Sequence, residues 1–517
     1  MTSSSVRKLL SSAARRGCLP LVVVAGTLSS PGCGSEPPTG APADGVSDAG
    51  VMETSTGVDA GPRGEQADGG TDADDSSTPL AGAVLWAKGF GSTAGVHNQS
   101  DTGFDVDVDA AGNVLVLGTF AGAAITFGGT PTLVGGQTQT AFLVKLDPAG
   151  NVLWSRGFKG ENLYVGGLTH DATSAYIGLN FANTLAFGTQ IFSSTGREDF
   201  ALIKLDGAGN VTASKRFGGT ENENVQGIAV GPGGILAAAG SFDQTTDLGG
   251  GTLTAAGPKG ASSNLYVMKL DTSFGHVWSR SFPSSSRGAS AVAVDPAGNV
   301  LVAGAFIESI DFGTPVASKA GDVDGFVVSL AAATGQPRWS HTYGGVGATS
   351  FGSLELGSSG TVYLAASSSG SVDFGGGPLL AAAADGPAGG AILALDAAGT
   401  HLWSKRYGGV WLNHLALAPS GALVLCGVAD KPTAFDGTAF GKVGYGEGFI
   451  LELGAGGAYR WSKPLGGLRP NAVATDASGS AYATGEFYYK STVPAYPTPI
   501  SLTSTGDGDA FVTKLSL

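Results

Sequence analysis

One tryptophan register runs through the chain from residue 85 onward. The strings LWAKGF, LWSRGF, TASKRF, VWSRSF, RWSHTY, LWSKRY and RWSKPL put Trp86, Trp154, Ala213, Trp278, Trp339, Trp403 and Trp461 at their second position. The intervals are 68, 59, 65, 61, 64 and 58 residues, and six of the seven tryptophans fall in this register. Four residues further on stand Phe90, Phe158, Phe217, Phe282, Tyr343, Tyr407 and Leu465. A repeat of this length is one supersecondary unit that cannot bury its apolar face alone, so neighbouring units must stack on one another.

Each repeat reads as four short strands, A to D. In the fourth they are Ala291–Asp295, Asn299–Gly304, Gly325–Leu330 and Pro337–Tyr343. Strands A and B meet through Asp295-Pro-Ala-Gly298-Asn299, and in most repeats C and D meet through the same chemistry, as in Asp147-Pro-Ala-Gly150-Asn151. An Asp that caps turn amides, a Pro that presets φ and a Gly that takes positive φ make tight antiparallel hairpins. Strands A to C are apolar on both faces, as a sheet sandwiched between two others requires. The expected fold is therefore all-β: a seven-bladed β-propeller of four-stranded antiparallel blades. The chain enters on a D strand (Leu85 to Phe90) and ends on a C strand (Ala510 to Leu517), so the N-terminal strand is expected to complete the last blade and close the ring. With 86 Gly and only 14% charged residues, the composition excludes a coiled coil and a highly charged nucleic-acid binder.

The first eighty residues read as an address. Four bases and no acid lie in residues 1–33, and an apolar run of 11, Cys18 to Leu28, is too short to span a bilayer but suits a signal peptide. Ser29-Ser-Pro-Gly-Cys33 then resembles a bacterial lipobox, which implies that residues 1–32 are removed and Cys33 is lipidated. Residues 33–79, with ten acids, one Arg and no hydrophobic period, read as a disordered acidic tether. The propeller occupies 80–517. Its only cysteine is Cys426, in an apolar run, and is expected to be a buried small hydrophobe.

The pattern VDPAGNVLVAGAF…IDFG…DGFVVSL…WSxx[FY]GG resembles the SBBP-type β-propeller repeat of bacterial envelope proteins. That resemblance implies secretion and a propeller, without assigned chemistry. Repeat two departs from the pattern at Asp171-Ala-Thr-Ser, and repeat seven has STVPAYPTPIS where others have DFG. Ala331 to Trp339 also resembles, once, a quinoprotein-type blade motif.

In this strand order the A–B and C–D turns share one face and the D–A and B–C connections share the other. The B–C spans are long, and their DFG element predicts a small extra turn or strand. The binding face is therefore expected on the D–A/B–C side. Polar candidates there are His97, Glu161, Asn162, Glu221, Glu223, Arg287, Trp411, Asn413 and His414. Trp411, Asn413 and His414 form the favoured binding set, because a Trp outside the repeat register beside Asn and His suits stacking on a ligand ring. Seven bases two residues after the Trp register (Lys88, Arg156, Lys215, Arg280, His341, Lys405, Lys463) are expected to lay their stems on aromatic surface with heads in water.

No HExxH, GxSxG or phosphate-loop motif is present, and the six histidines lie apart in sequence. The pairs Asp322/Asp324 and Asp507/Asp509 each begin a C strand, and no metal is assigned to them. No catalytic residue and no cofactor is expected. The sequence thus leads to a monomeric cell-envelope lipoprotein, in the outer membrane or at the cell surface. Its propeller is read as a non-catalytic binding or scaffolding module for a protein or glycan, touching the membrane only through its lipid and binding no nucleic acid. A propeller-type enzyme (lyase, glycosidase or quinoprotein-like) is the alternative.

Overall fold

A computed structural model describes residues 80–95, 100–128, 131–136, 138–256, 263–319, 323–381, 389–440, 446–495, 497–504 and 508–517. The signal peptide, Cys33 and the tether lie outside the described residues, as do His97, Asp322 and Asp507. The described chain is all-β. Its repeats are four-stranded antiparallel sheets in the order A-B-C-D, such as Glu223–Gly231, Ile235–Phe242, Asn264–Asp271 and His276–Phe282 in repeat three. The long strand Val152–His170 serves twice, as D of repeat one and A of repeat two. Val84–Phe90 pairs antiparallel with Asp509–Ser516, so the N-terminal strand is the fourth strand of repeat seven.

The turns form as their residues dictate. Asp147 Oδ1 accepts the N–H groups of Ala149 (3.0 Å) and Asn151 (2.8 Å), while the Asn151 side chain donates to Oδ2 at 2.9 Å. Burial follows the sandwich expectation: Val114–Phe120, Thr140–Leu146 and Asp324–Leu330 are buried at every residue.

The D-strand register proves to be the cement between successive repeats. At one end, each Trp lies on the C–D turn of the next repeat. The Nε1–H of Trp154 donates to Gly207 O (3.0 Å), that of Trp278 to Ala332 O (3.0 Å) and that of Trp403 to Ala455 O (3.1 Å). A Cβ on Gly209 would come within 2.8 Å of the Trp154 ring, so the turn glycine is needed for its closeness to the indole as well as for its φ of +79°. At the other end, the register Phe or Tyr meets the aromatic residue of the next repeat's B–C hairpin, the DFG Phe in repeats four and five. Phe282 lies 5.1 Å from Phe312, Tyr343 5.3 Å from Phe374 and Tyr407 5.1 Å from Phe435, ring centre to ring centre. The DFG element itself is a hairpin, as in Ser371–Asp373 with Pro378–Leu379, which fulfils the expected extra structure in the B–C span.

Repeat seven obeys the same rule with chain ends in place of a turn. Gly82 N donates to Ser516 O (2.8 Å), Ser516 N donates to Ala83 O (2.9 Å), and Trp461 packs on Gly82. The departing insert of repeat seven has a local reason. Ala495 bridges to Val84 on the outer edge of the N-terminal strand, and Val493, Ile500 and Leu502 join that strand's apolar cluster.

Inner strands meet in sequence order. Each A strand lies against the A strand of the next repeat, and Leu468–Thr475 of repeat seven lies against Thr102–Val108 of repeat one. Five residues before its A–B turn residue, every A strand carries a β-bulge, at Phe104, Gly166, Gln226, Ser290, Gly352, Asn413 and Asn471. A bulge frees one residue from the ladder and re-aims its side chain. Two of these tie neighbouring repeats together: Asn413 Nδ2 donates to Pro470 O (2.7 Å), and Asn471 Nδ2 donates to Gly103 O (2.9 Å).

The register bases follow the expectation in part: Arg156 lies over the Trp154 ring, Lys215 lies over the Phe217 ring, and Lys88 is exposed. Arg156 Nε donates to Gly209 O (2.7 Å), Lys215 Nζ to Phe274 O (3.0 Å) and Arg280 Nε to Thr334 O (2.8 Å). These three heads also reach carbonyls of the next repeat's turn, because the turn that receives the Trp presents its carbonyls two residues along the same strand face, while Lys405 pairs with Asp436.

Candidate binding face and inner wall

Counting back from each A–B turn residue aligns the inner strands. Seven residues before it, at the D–A/B–C end, stand Thr102, Tyr164, Asn224, Ser350, Trp411 and Arg469. Repeat four has a second bulge here, and the Arg287 side chain lies outside the described residues. Trp411 is half-buried, and its Nε1–H donates to Asp430 Oδ2 at 2.6 Å. Tyr164 donates its hydroxyl to Glu198. The Arg469 guanidinium stacks over Tyr488, 5.4 Å from its ring centre. Tyr489 follows with φ +57° and 84% exposure. Asn183, Gln244 and Glu308 share that left-handed position after strand B, so the strain belongs to the turn into the insert. The bulky exposed ring there belongs to repeat seven.

Trp411 thus sits at the expected end, while Asn413 and His414 lie deeper on the wall between repeats six and seven. His414 Nδ1 meets Val473 O at 3.1 Å, and burial lowers its pKa to about 4, so the ring is neutral at physiological pH. The other candidates serve the connections. Glu161 accepts from Asn183 Nδ2 (2.6 Å), beside Asn162 at φ +46°, and Glu221 pairs with Arg197 at 3.5 Å. Glu223 is fully buried and accepts from Gly219 N at 2.5 Å. Burial and the nearby charge of Asp199 raise its pKa to about 7, against that hydrogen bond.

Toward the turn face, the inner strands bring together residues that were not singled out from the sequence. Asp107 pairs with His170 Nδ1 at 2.7 Å across repeats one and two, and Asp105 accepts from Leu168 N at 2.8 Å. Burial raises Asp105 to about 7, opposed by the Leu168 N–H and helped by the charge of Asp107. Burial, then the charge of Asp107, raises Glu355 of repeat five to about 8. Burial opposes charge on His170, but the hydrogen bond and charge of Asp107 outweigh it and raise its pKa. Among the described residues, no group of three His, Cys, Asp or Glu side chains is arranged to hold a metal ion. Alignment on the turn residue is the sequence signal that could have found both sets, because it places Asp107 and Glu355 at one position and Trp411 and Arg469 at another.

No family model matches the chain, and no curated protein does. Solved structures do. The WD40 repeats of RRP9 align with 84% of this chain and 99% of theirs, at 9% identity and a TM-score of 0.43. The Dos1 propeller aligns with 82% of this chain and 95% of its own, at 10% identity and a TM-score of 0.38. A luciferin-regenerating enzyme aligns with 68% of this chain and 93% of its own, at 10% identity and a TM-score of 0.32.

Proposed function

We propose that residues 80–517 are a seven-bladed β-propeller closed by the N-terminal strand, and that it works as a binding or scaffolding module. The closed ring is supported by the run of inner strands from Thr102–Val108 to Leu468–Thr475 and back, and by Asn471, whose amide spans from repeat seven to repeat one. The single observation that carries the functional reading is the set of large side chains at one register position on the D–A/B–C end, with Trp411, Arg469 and Tyr164 its largest members. Trp, Tyr and Arg are the residues that dominate binding hot spots. The lipobox-like Ser29–Cys33 and the SBBP-like repeats support an envelope lipoprotein, monomeric and anchored through Cys33, whose partner is a protein or glycan. The test is crosslinking of the full chain in native envelopes, with Trp411→Ala beside wild type. A partner recovered with wild type and lost with the variant is expected. Equal recovery by both would place binding elsewhere, and no crosslinked partner, with no retained glycan, would count against a binding module.

The pair Asp107–His170, with Glu355 and Asp105 near it, favours enzymatic hydrolysis as a second reading. Buried carboxyls whose protonated form is favoured, beside a carboxylate–imidazole pair, are groups that acid–base chemistry uses. Substrate turnover abolished by both Glu355→Gln and Asp107→Asn would support it. Screens of envelope glycosides and esters without turnover would count against it.

A further inference from the structure

Repeats six and seven differ from the rest in what they present at the D–A/B–C end. Trp411 and Arg469 occupy the same position on adjacent inner strands, which Asn413 ties together through Pro470 O. Arg469 pairs in register with Glu486 of strand B, and Tyr488 and Tyr489 follow directly on that strand. The polar edge of the Trp411 indole is fixed on Asp430, which orients the ring. Arg469 lies over Tyr488, which orients the guanidinium. Tyr489, at 84%, is the most exposed large hydrophobic residue among those described.

This arrangement selects a ligand class by size and by chemistry. A standard protein interface takes about 20–30 residues a side. Here the other exposed apolar side chains of the inserts, Val134, Ile191, Val316 and Leu380, are scattered one to a repeat. An indole oriented by Asp430, a guanidinium stacked on Tyr488 and the exposed ring of Tyr489 make a small set. It matches a ligand with flat C–H faces and hydroxyls around the rim.

We propose that the D–A/B–C end of repeats six and seven, built from Trp411, Arg469, Tyr488 and Tyr489, binds a short pyranose oligosaccharide. The sugar C–H faces stack on Trp411 and Tyr489. Ring hydroxyls accept from Arg469 and donate to Asp430. This rests on the binding-module reading and names its ligand.

The test is the full chain on an array of defined pyranose oligosaccharides, with hits titrated by intrinsic fluorescence. Binding is expected, weakened at least tenfold in Trp411→Ala and in Tyr489→Ala. Trp411→Phe should retain more of it than Trp411→Ala. Tyr489 is exposed, so its variant should keep the wild-type melting temperature and separate ligand loss from misfolding. An array without hits, or hits bound equally by Tyr489→Ala and Trp411→Ala, would overturn the proposal. A protein crosslink lost in Trp411→Ala while the array stays empty would overturn the glycan and leave the binding module standing.

Discussion

Repeat two has Ala213 where six other repeats have Trp, and the turn that should receive that Trp is changed as well. In repeat three the turn reads Asp271-Thr-Ser-Phe274-Gly275, with Phe274 at the position held by Gly150 or Gly209 elsewhere. Phe274 has φ +65° and 2% exposure, and packs with Ala213 and edge-on to Tyr176 at 6.4 Å. A ring missing from one repeat is thus supplied by the next, in a conformation that a non-glycine residue adopts at a cost of roughly 1–2 kcal/mol. A double-mutant cycle tests this exchange. Phe274→Gly loses a buried ring, about 3–5 kcal/mol for a Phe truncation, and regains about 1 from the backbone, a net loss of about 2–4 kcal/mol. Ala213→Trp alone forces an indole against Phe274, with an overpacking cost of about 1–3 kcal/mol. Independent effects would sum to about 3–7 kcal/mol in the double variant. The exchange instead predicts a double variant within about 2 kcal/mol of wild type, because it restores the Trp-on-Gly pair used in other repeats. Urea unfolding followed by fluorescence, with matched m-values, reads each corner of the cycle. Additivity of the single effects to within about 0.5 kcal/mol would refute the reasoning.

Three further outcomes are expected. Gly82→Ala, at φ +75° and with Trp461 2.9 Å from the added Cβ, should lower stability more than Gly479→Ala, which has a similar φ of +84° and open space around it; equal losses in thermal melts would mean that Trp461 does not hold the chain ends. Asn413→Ala and Asn471→Ala should each cost about 1–2 kcal/mol by leaving an inner-strand carbonyl without its side-chain donor, and unchanged unfolding midpoints would count against these ties. Glu355 titrates near 8 when folded, above its ordinary value of 4.5, so its favourable contribution is complete below about pH 4.5 and is lost as pH rises toward 8. Glu355→Gln should therefore flatten the pH dependence of stability between those limits by about 1–3 kcal/mol, after allowance for the partly exposed carboxyl, and an unchanged profile would remove Glu355 from the account.

The elements with local causes were legible in the sequence. The A–B and C–D hairpins follow from Asp-Pro-Ala-Gly-Asn chemistry, and the extra hairpin in the B–C span follows from DFG. The tryptophan register was visible as a repeat, but its purpose was not, because five of the six indoles meet a glycine and a carbonyl about fifty to sixty residues away and Trp461 meets Gly82 at the other end of the repeat array. The carbonyl contacts of the basic residues beside it were hidden for the same reason: Arg156 lies over Trp154 as expected but finds its acceptors at Ala208 and Gly209. Trp411 stood out as the one Trp beyond the register. Arg469 and Tyr164 did not, because they share with it only a distance from the turn, and their neighbours at that position are Thr102, Asn224 and Ser350.

The same comparison separates what holds the repeats together from what recognises something outside them. Positions that recur in kind serve joints: Trp on Gly, Phe or Tyr on the B–C hairpin aromatic, Asp on turn amides. Where such a position changes, a partner changes with it, as Ala213 does with Phe274. At the D–A/B–C end the inner-strand residue changes freely from Thr to Tyr, Asn, Ser, Trp and Arg, while the bulge below it stays in place. Thr102 alone is spent on a joint, buried with its hydroxyl on Glu486 of repeat seven at 3.2 Å, and the other side chains differ in size, charge and hydrogen-bonding sense as joints of one kind would not. Constant backbone beneath variable side chains is the arrangement in which a scaffold presents a surface to a ligand, and that is the physical ground for looking for one at Trp411 and Arg469.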